Sequence, residues 1–329
     1  MQAIVITRYG GPEVLELQEV PQPTPGEGEV LIRTEAVGVN FADIMLRKGR
    51  YHAGGKPPVI PGLDLAGTIV AVGPGVRGLE VGQRVAAFAG AGSYAEYAVA
   101  PAVLTWPVPV GIDIETAAAF PTVGITAYNL LTLAGRLEPG ETVLVHAAAG
   151  GVGTTAVQLA RLLGAGTVIG TVGDDAKVPL ARELGCNHVI NYRREDFAAR
   201  VLELTGGRGA DLILDAVAGP VFAASLTCLA PFGRLVVYGM ASGEPGRVES
   251  PQLHPPSRAV IGYSSGTYRR LRPEALRPAA EAVLAYLRQG LVRFVIGARF
   301  PLEQAAQAHE LVESRQSTGK VLLLPGRQG

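Results

Sequence analysis

The chain has 329 residues, 29 lysines and arginines against 29 aspartates and glutamates, and apolar side chains at 48% of positions. This length predicts about two domains. The apolar content suits folded cores, since disordered chains combine low hydrophobicity with high net charge. A net charge of zero gives no general attraction to nucleic acid or to an anionic membrane, so neither is expected as a partner.

The first five residues lack the basic segment and apolar stretch of a secretory signal, and we find no run of about 18 apolar residues. We therefore expect a cytoplasmic protein. Cys186 and Cys228 are too few for a disulfide framework and lack the Cys-x-x-Cys spacing of zinc or redox sites. They are predicted to be buried free thiols.

Residues 1–122 are predicted to form a β-rich domain, because short apolar runs alternate there with glycine and proline. The predicted strands are 3–7, 14–20, 30–39, 68–72, 84–88 and 94–99.

From about residue 120, apolar residues recur at helical spacing between short β-branched runs, which predicts βαβ units. The predicted strands are 142–146, 167–172, 188–191, 211–216, 234–238 and 260–262, and the predicted helices are 153–163, 177–184, 197–204 and 221–229. Parallel strands need crossover connections, so the α/β pattern predicts a doubly wound parallel sheet. Beyond it we expect helices at 274–289 and 302–314 and a strand at 321–324, which returns to the first domain.

A glycine-rich turn, residues 147–153, lies between the predicted strand 142–146 and a helix, as a dinucleotide-binding turn requires. Glycines let the backbone approach a diphosphate, and the N-terminus of the helix presents N–H groups and positive partial charge to it. The pattern is imperfect because Ala148 takes the place of its first glycine, and a purely structural turn is the alternative. No lysine follows Gly153, which excludes a P-loop.

The second predicted strand of this sheet indicates which cofactor binds. Gly173 stands where NAD-binding proteins have an acidic residue for the ribose, and Lys177 follows one helical turn later. This arrangement predicts NADPH. Asp174 and Asp175 argue against it, unless they cap the helix that follows.

A metal site is not expected. A catalytic zinc in this chain would need Cys or His ligands near residues 40–65, where His52 stands alone, and no group of four cysteines exists.

The chain resembles the zinc-free quinone oxidoreductase (zeta-crystallin-like) branch of the medium-chain dehydrogenase/reductase superfamily. The residues that carry the resemblance are Gly38 to Asp43, Arg47 to Tyr51, Pro61 to Gly67, Ser93 to Tyr97, His146 to Gly153, Asn191 to Arg193 and Ala305 to Lys320. Leu63 stands where zinc-dependent relatives have the histidine of a Gly-His-Glu metal motif. The resemblance implies a GroES-like domain of residues 1–122 completed by 266–329, a Rossmann NADPH-binding domain of residues 123–265, and a cofactor between them.

The resemblance also implies which residues bind the cofactor. Asn40 and Thr126 would lie near the nicotinamide, and the turn would hold the diphosphate. The turn residues are Gly150, Gly151, Val152 and Gly153. The adenosine phosphate would meet Lys177, Tyr192 and Arg315 beside Gly173, and Tyr238 and Gly239 would follow the fifth strand. Ordinary packing is the alternative explanation for Thr126, Tyr238 and Gly239.

The predicted catalytic residues are Asn40, Asp43 and Tyr51, which would line the site of the electron acceptor. Met45 stands where quinone reductases often have a tyrosine, while Tyr51 retains a second one, which suggests a changed substrate. Asn40 and Asp43 have an alternative role, as caps of a helix that begins near Phe41.

Three functions remain compatible with these residues. The first is metal-independent transfer of hydride from NADPH to a quinone. The second is reduction of the double bond of an enone or enoyl thioester, with Tyr51 as a proton donor. The third is an NADPH-binding scaffold without turnover. A homo-oligomer, a dimer or tetramer, is expected through the predicted edge strand 260–262.

Overall fold

The computed structural model describes residues 1–53, 55–90 and 92–326. By contacts the chain divides into two compact units. The first unit comprises Met1–Ile125 and Ser265–Gly329, and the second comprises Thr126–Ser264. Residues 327–329, at the end of the predicted 266–329 segment, lie outside the described residues.

Strands dominate the beginning of the chain, and helices and strands alternate further on. The strands are β1 (Gln2–Ile6), β2 (Leu15–Glu19), β3 (Glu29–Val39), β4 (Asp64–Val72), β5 (Arg84–Phe88), β6 (Tyr97–Pro101), β7 (Thr105–Pro107), β8 (Thr142–Val145), β9 (Thr167–Val172), β10 (His188–Asn191), β11 (Ala210–Asp215), β12 (Leu229–Val237), β13 (Ala259–Gly262), β14 (Ile296–Pro301) and β15 (Lys320–Leu324). The helices are α1 (Phe41–Arg47), α2 (Ile114–Asn129), α3 (Gly151–Leu162), α4 (Val178–Glu183), α5 (Phe197–Leu204), α6 (Pro220–Thr227), α7 (Ser250–Leu253), α8 (Ser265–Leu271), α9 (Arg277–Arg288) and α10 (Ala305–Glu313).

The first unit is built on a β-sheet in the order β14-β15-β3-β4-β5-β7, with β6 also paired to β3. Its longest strand, β3, is rich in β-branched residues, and Val30 and Ile32 pack against Leu65 and Ile69 of β4 in one buried cluster. The last strand, β15, pairs antiparallel with β3. The C-terminal segment thus completes the sheet that the N-terminal strands begin.

The second unit contains a six-stranded parallel sheet in the order β10-β9-β8-β11-β12-β13. The strand order reverses between β8 and β11, and in open α/β sheets ligands bind beyond the carboxyl ends of the strands at such a switch point. The predicted α/β class with a parallel sheet is confirmed.

The sequence prediction did not include one long helical stretch. Helix α2 continues into a π-helical turn, and together they span Ile114–Ala134, 21 residues that are apolar enough to cross a membrane by length and composition. This stretch is not an uninterrupted apolar run of the kind considered in the sequence, because Glu115, Thr122 and Asn129 lie within it. Since 72% of its most apolar 18-residue window is buried inside the protein, the stretch has the burial of a core helix.

The helix predicted at 274–289 is also corrected. A 3₁₀ turn covers Pro273–Leu276, and α9 begins only at Arg277 with Pro278 in its first turn. Proline has no N–H group, so it is favoured at a helix start and disfavoured within a helix. The sequence prediction also did not find β7 and β14, which are a short strand and an outer strand of the first unit.

Candidate active site

The glycine-rich turn connects β8 to α3 in the second unit. Ala147 adopts a left-handed conformation with φ of 52°. A Cβ atom on Gly153 would lie 2.1 Å from the carbonyl oxygen of Ala147, so only glycine fits there. Gly150 is the N-cap of α3, and no side chain of the described residues caps this helix. The first-turn N–H groups of Gly151 and its successors are thus suited to bind an anion.

The end of β9 brings three of the predicted cofactor residues together. A Cβ atom on Gly173 would lie 2.5 Å from the hydroxyl oxygen of Tyr192, so glycine leaves room for that hydroxyl. Lys177 is half-buried. Burial lowers the pKa of Lys177, and the positive charge of the nearby Arg193 lowers it further, whereas the carboxylate of Asp174 raises it. Arg193 is therefore a second cation beside Lys177, which the sequence prediction left out.

The two aspartates that argued against NADPH both have local structural roles. Asp174 accepts a hydrogen bond from the N–H of Ala176 at 2.9 Å and so caps the turn that leads to α4. Asp175 accepts from the side-chain amide of Asn191 at 2.6 Å and pairs with Arg194, also at 2.6 Å.

The remaining predicted cofactor residues are more dispersed. The hydroxyl of Thr126 is buried and has no hydrogen-bond partner among the described residues, which fits a contact with a ligand. Tyr238 and Gly239 directly follow β12, and a Cβ atom on Gly239 would lie 2.7 Å from the carbonyl oxygen of Ala216. Arg315 follows α10 with φ of 61° and belongs to the first unit, whereas Lys177 belongs to the second.

The sequence prediction missed two polar residues at the carboxyl ends of strands in the second unit. Asp215, the last residue of β11, accepts from the N–H groups of Val217 and Ala218 at 2.7 and 3.0 Å. Its second oxygen is buried and has no partner in the described part of the chain. His146, just after β8, is buried, and burial lowers its pKa to about 4, which leaves it neutral. Their position at the carboxyl ends of the predicted strands 142–146 and 211–216 was the available signal.

A buried ion pair lies at the centre of the first unit. The ammonium of Lys320 donates to a carboxylate oxygen of Asp64 at 2.7 Å and to the amide oxygen of Asn40 at 2.6 Å. The side chains of Lys320 and Asp64 are 3% and 0% exposed. The amide nitrogen of Asn40 donates to the same oxygen of Asp64 at 2.9 Å. We call Lys320, Asp64 and Asn40 the Lys320 cluster.

Neighbouring residues complete the Lys320 cluster. Thr122 donates its N–H and its hydroxyl to the other oxygen of Asp64, at 3.1 and 2.5 Å. A Cβ atom on Gly38 would lie 2.5 Å from Cε of Lys320, so glycine in β3 makes room for the lysine. The sequence prediction gave no role to Lys320, which begins an otherwise apolar strand.

Asp43 is buried next to this cluster. One of its oxygens accepts from the backbone N–H of Asn40 at 2.8 Å and from the hydroxyl of Tyr94 at 3.1 Å. Burial raises the pKa of Asp43 from 3.8 to about 7, although these hydrogen bonds and Lys320 act against the rise. Asn40 is therefore the N-cap of α1 and Asp43 caps its backbone N–H, as the alternative prediction has it, while the side-chain amide of Asn40 is also held by Lys320 and Asp64.

A chain of hydrogen bonds continues from Tyr94 to the C-terminal helix α10. The hydroxyl of Tyr94 lies 3.0 Å from Nε2 of His309, whose Nδ1 lies 3.4 Å from the guanidinium of Arg47. Because a guanidinium only donates, Nδ1 accepts and Nε2 carries the proton. Burial lowers the pKa of His309 to about 3, so the ring is neutral. The fully buried Arg47 also pairs with Glu313 of α10.

Tyr51 is half-buried, and its hydroxyl accepts a hydrogen bond from Arg269 at 3.0 Å. Burial raises the pKa of Tyr51, Arg269 opposes this, and Asp43 and Asp64 add to it. Tyr51 thus lies within electrostatic reach of Asp43, a second predicted catalytic residue, and of the Lys320 cluster that holds Asn40.

Cys186 and Cys228 are buried free thiols, as predicted, and burial raises the pKa of each to about 12. Within the described ranges, no three His, Cys, Asp or Glu side chains are grouped to hold a metal ion.

Comparison with known proteins gives matches along nearly the whole chain. A family model described as zinc-binding dehydrogenase matches residues 151–285, and a model of the alcohol dehydrogenase GroES-like domain matches residues 26–110. The chain is 38% identical to a 2-haloacrylate reductase of a Burkholderia species, covering 99% of each, and 41% identical to a quinone oxidoreductase of Pseudomonas aeruginosa, covering 98% and 99%. The crystal structure of Escherichia coli quinone oxidoreductase complexed with NADPH aligns with a TM-score of 0.93 at 35% identity, covering 99% of this chain and all of that one.

Replacing Asp43 by asparagine is expected to flatten the pH dependence of stability. Since burial raises the pKa of Asp43 from 3.8 to about 7, its protonated form stabilises the fold at low pH, and this contribution is lost as pH rises through the folded pKa. Between pH 5 and the folded pKa of about 7 the loss extends over about two pH units, which corresponds to on the order of 3 kcal/mol. Urea unfolding between pH 5 and pH 8, a range of about three units around that pKa, measures the effect.

The wild type should lose stability relative to Asp43→Asn as pH rises. His309 has the opposite pH dependence but is present in both proteins, so its contribution cancels in the difference. Parallel pH profiles for the two proteins would show that Asp43 does not titrate in this range.

Proposed function

Because the chain belongs to the zinc-free quinone oxidoreductase branch of the medium-chain dehydrogenase/reductase superfamily, we propose that it is an NADPH-dependent oxidoreductase that reduces a quinone without a metal. The family that the sequence predicts is thus confirmed. The metal-independent chemistry is supported by Leu63, which has no metal-ligating atom beside Asp64.

The observation that carries the proposal is the turn before α3. Gly153 fits where no other residue does, and the first turn of α3 offers backbone N–H groups at the switch point of the sheet. The proposed role of residues 150–153 is to hold the diphosphate of NADPH.

We propose that the phosphate on the adenosine ribose binds at the end of β9. Lys177 supplies a cation, Tyr192 a hydroxyl, and Gly173 the space between strand and tyrosine. Arg315 is proposed as a further cation for the same phosphate. Tyr238 and Gly239 would line the cofactor after β12, and Thr126, whose buried hydroxyl has no partner among the described residues, would contact the nicotinamide.

The proposed chemistry needs little acid or base catalysis. NADPH, when bound, supplies a hydride, that is two electrons and one proton. A quinone that accepts this hydride becomes a hydroquinone anion, which takes its remaining proton from water. Asn40 is held rigidly enough by Lys320 and Asp64 to orient the nicotinamide and the acceptor. Asp43 fixes the backbone of Asn40, and Tyr51 would line the acceptor.

A second candidate function is reduction of a carbon–carbon double bond next to a carbonyl. Tyr51 favours it, because its hydroxyl is a proton donor of the kind this reaction needs at the α carbon, and the hydrogen bond from Arg269 stabilises the phenolate that donation would leave. The Burkholderia relative is named a 2-haloacrylate reductase, and a haloacrylate has such a double bond.

We propose further that residues 1–122 with 266–329 bind the acceptor, that residues 123–265 bind NADPH, and that the protein acts in the cytoplasm. Strand β13 is the outermost strand of its sheet and is only half-buried, so its free edge is proposed as the contact of a homo-oligomer, a dimer or tetramer.

The purified protein is expected to oxidise NADPH in the presence of a quinone, followed by the loss of absorbance of the reduced nicotinamide. NADPH should be preferred over NADH by about tenfold or more in kcat/KM, because charge-assisted hydrogen bonds to a phosphate contribute about 1.5–3 kcal/mol. Lys177→Met should reduce this preference. A preference for NADH would contradict the cofactor assignment, and no oxidation with any quinone or enone would favour a scaffold without turnover.

Replacing Tyr51 by phenylalanine distinguishes the two reactions. If Tyr51 donates a proton, enone reduction is expected to fall about 100-fold or more, while quinone reduction changes only a few-fold because water supplies its proton. Tyr9→Phe, at a tyrosine that is 47% exposed, is the control and should change neither rate. Equally small effects of Tyr51→Phe on both reactions would show that Tyr51 lines the pocket and does not donate a proton.

A further inference from the structure

Arg269, on α8, is a half-buried cation without a carboxylate partner among the described residues. Its Nε atom is buried and has no hydrogen-bond partner in that part of the chain. The ion pairs between the described residues do not include it. One terminal nitrogen donates to the hydroxyl of Tyr51 at 3.0 Å. By contrast, the half-buried Arg234 donates two hydrogen bonds to the carboxylate of Glu141.

The contacts of Arg269 satisfy only part of its guanidinium. The central carbon lies 4.9 Å from the centre of the Phe88 ring, a cation–π contact that covers one face. The five N–H groups lie in the plane of the guanidinium, and the ring does not accept hydrogen bonds from them in that plane. A buried donor without an acceptor is destabilising, and arginine is rarely buried unless it is paired. Nε therefore lacks an acceptor among the described residues.

A second unpaired polar group lies on the same helix. The hydroxyl of Ser265 is buried and also lacks a partner among the described residues. Ser265 and Arg269 are four residues apart, so they lie on the same face of α8. Between them, a Cβ atom on Gly266 would lie 2.9 Å from the hydroxyl oxygen of Tyr51, so glycine preserves space around that hydroxyl.

We propose that Arg269 binds a carboxylate group of the electron acceptor, with Ser265 and Tyr51 as neighbouring hydroxyl donors. A guanidinium and a carboxylate form two parallel hydrogen bonds, which is the pairing that Nε and an adjacent nitrogen can make. Among quinones and compounds with a conjugated double bond, this selects those that carry a carboxylate beside the reducible bond. The inference rests on the proposed function, because that function places Tyr51 at the acceptor.

Binding of a carboxylate that cannot be reduced tests this site without turnover. The only tryptophan of the chain, Trp106, has its ring centre 5.8 Å from that of Phe88, the ring beneath Arg269, so its fluorescence should report occupancy. Benzoate is the probe and benzamide its neutral counterpart. We expect benzoate to bind, and Arg269→Gln to weaken its binding at least about tenfold while leaving benzamide binding unchanged. Arg269→Lys keeps the charge but loses the planar guanidinium, so its affinity for benzoate should lie between that of the wild type and that of Arg269→Gln.

The matched control is Arg270→Gln, because Arg270 is the adjacent arginine on α8 and is exposed. It should bind benzoate as the wild type does, and thermal unfolding should show all variants folded. No saturable binding of benzoate, equal binding of benzoate and benzamide, or unchanged binding in Arg269→Gln would overturn the inference.

Turnover gives an independent result. The ratio of kcat/KM for acrylate to that for acrylamide, with NADPH, should fall about tenfold or more in Arg269→Gln, and an unchanged ratio would overturn the assignment to the acceptor. A third outcome is that benzoate binds through Arg269 but none of the acceptors supports oxidation of NADPH. The proposed function would then fail, while the carboxylate site would stand.

Discussion

The first unit depends on one buried ammonium. Lys320 begins the last strand, Asp64 begins β4, and Asn40 lies between β3 and α1, so the Lys320 cluster joins three separate parts of the chain. Removing one partner of a buried ion pair leaves an uncompensated charge and typically costs about 3–5 kcal/mol. The same ammonium fixes the amide of Asn40, whose backbone N–H in turn holds Asp43. The ammonium therefore both joins strands of the sheet and orients the side chain of Asn40, one of the proposed catalytic residues.

The second unit is suited to bind its cofactor mainly through the backbone. Two positions must be glycine. A Cβ atom on Gly153 would meet a backbone carbonyl oxygen, and a Cβ atom on Gly173 would meet the hydroxyl of Tyr192. Backbone N–H groups at a helix N-terminus recognise a diphosphate whatever nucleotide carries it. In the proposed binding mode, discrimination between NADPH and NADH would therefore fall to Lys177 and its neighbours, which is why the roles of Asp174 and Asp175 matter.

Local patterns in the sequence were sufficient for most strands of both units and for the glycine turn, because alternation and glycine spacing depend on neighbouring residues. They did not reveal Lys320, whose partner Asp64 is 256 residues away, or Arg269, which meets Tyr51 only after folding. The alternatives for Asn40 and Asp43 could not be separated either. In the structure both residues belong to the cap of α1, and Asn40 has in addition a place in the Lys320 cluster, which depends on a lysine from the far end of the chain.

The most direct test of this account is a double-mutant cycle with Lys320→Met and Asp64→Asn, measured by urea unfolding and by the kcat/KM of NADPH oxidation. Each single variant leaves one buried charge unpaired, so each should lose about 3 kcal/mol or more, while the double variant should lose clearly less than the sum. Both single variants should also reduce kcat/KM, because Asn40 loses a fixed neighbour. Additive losses of stability, or single variants with the activity of the wild type, would contradict the claim that this buried pair organises the site.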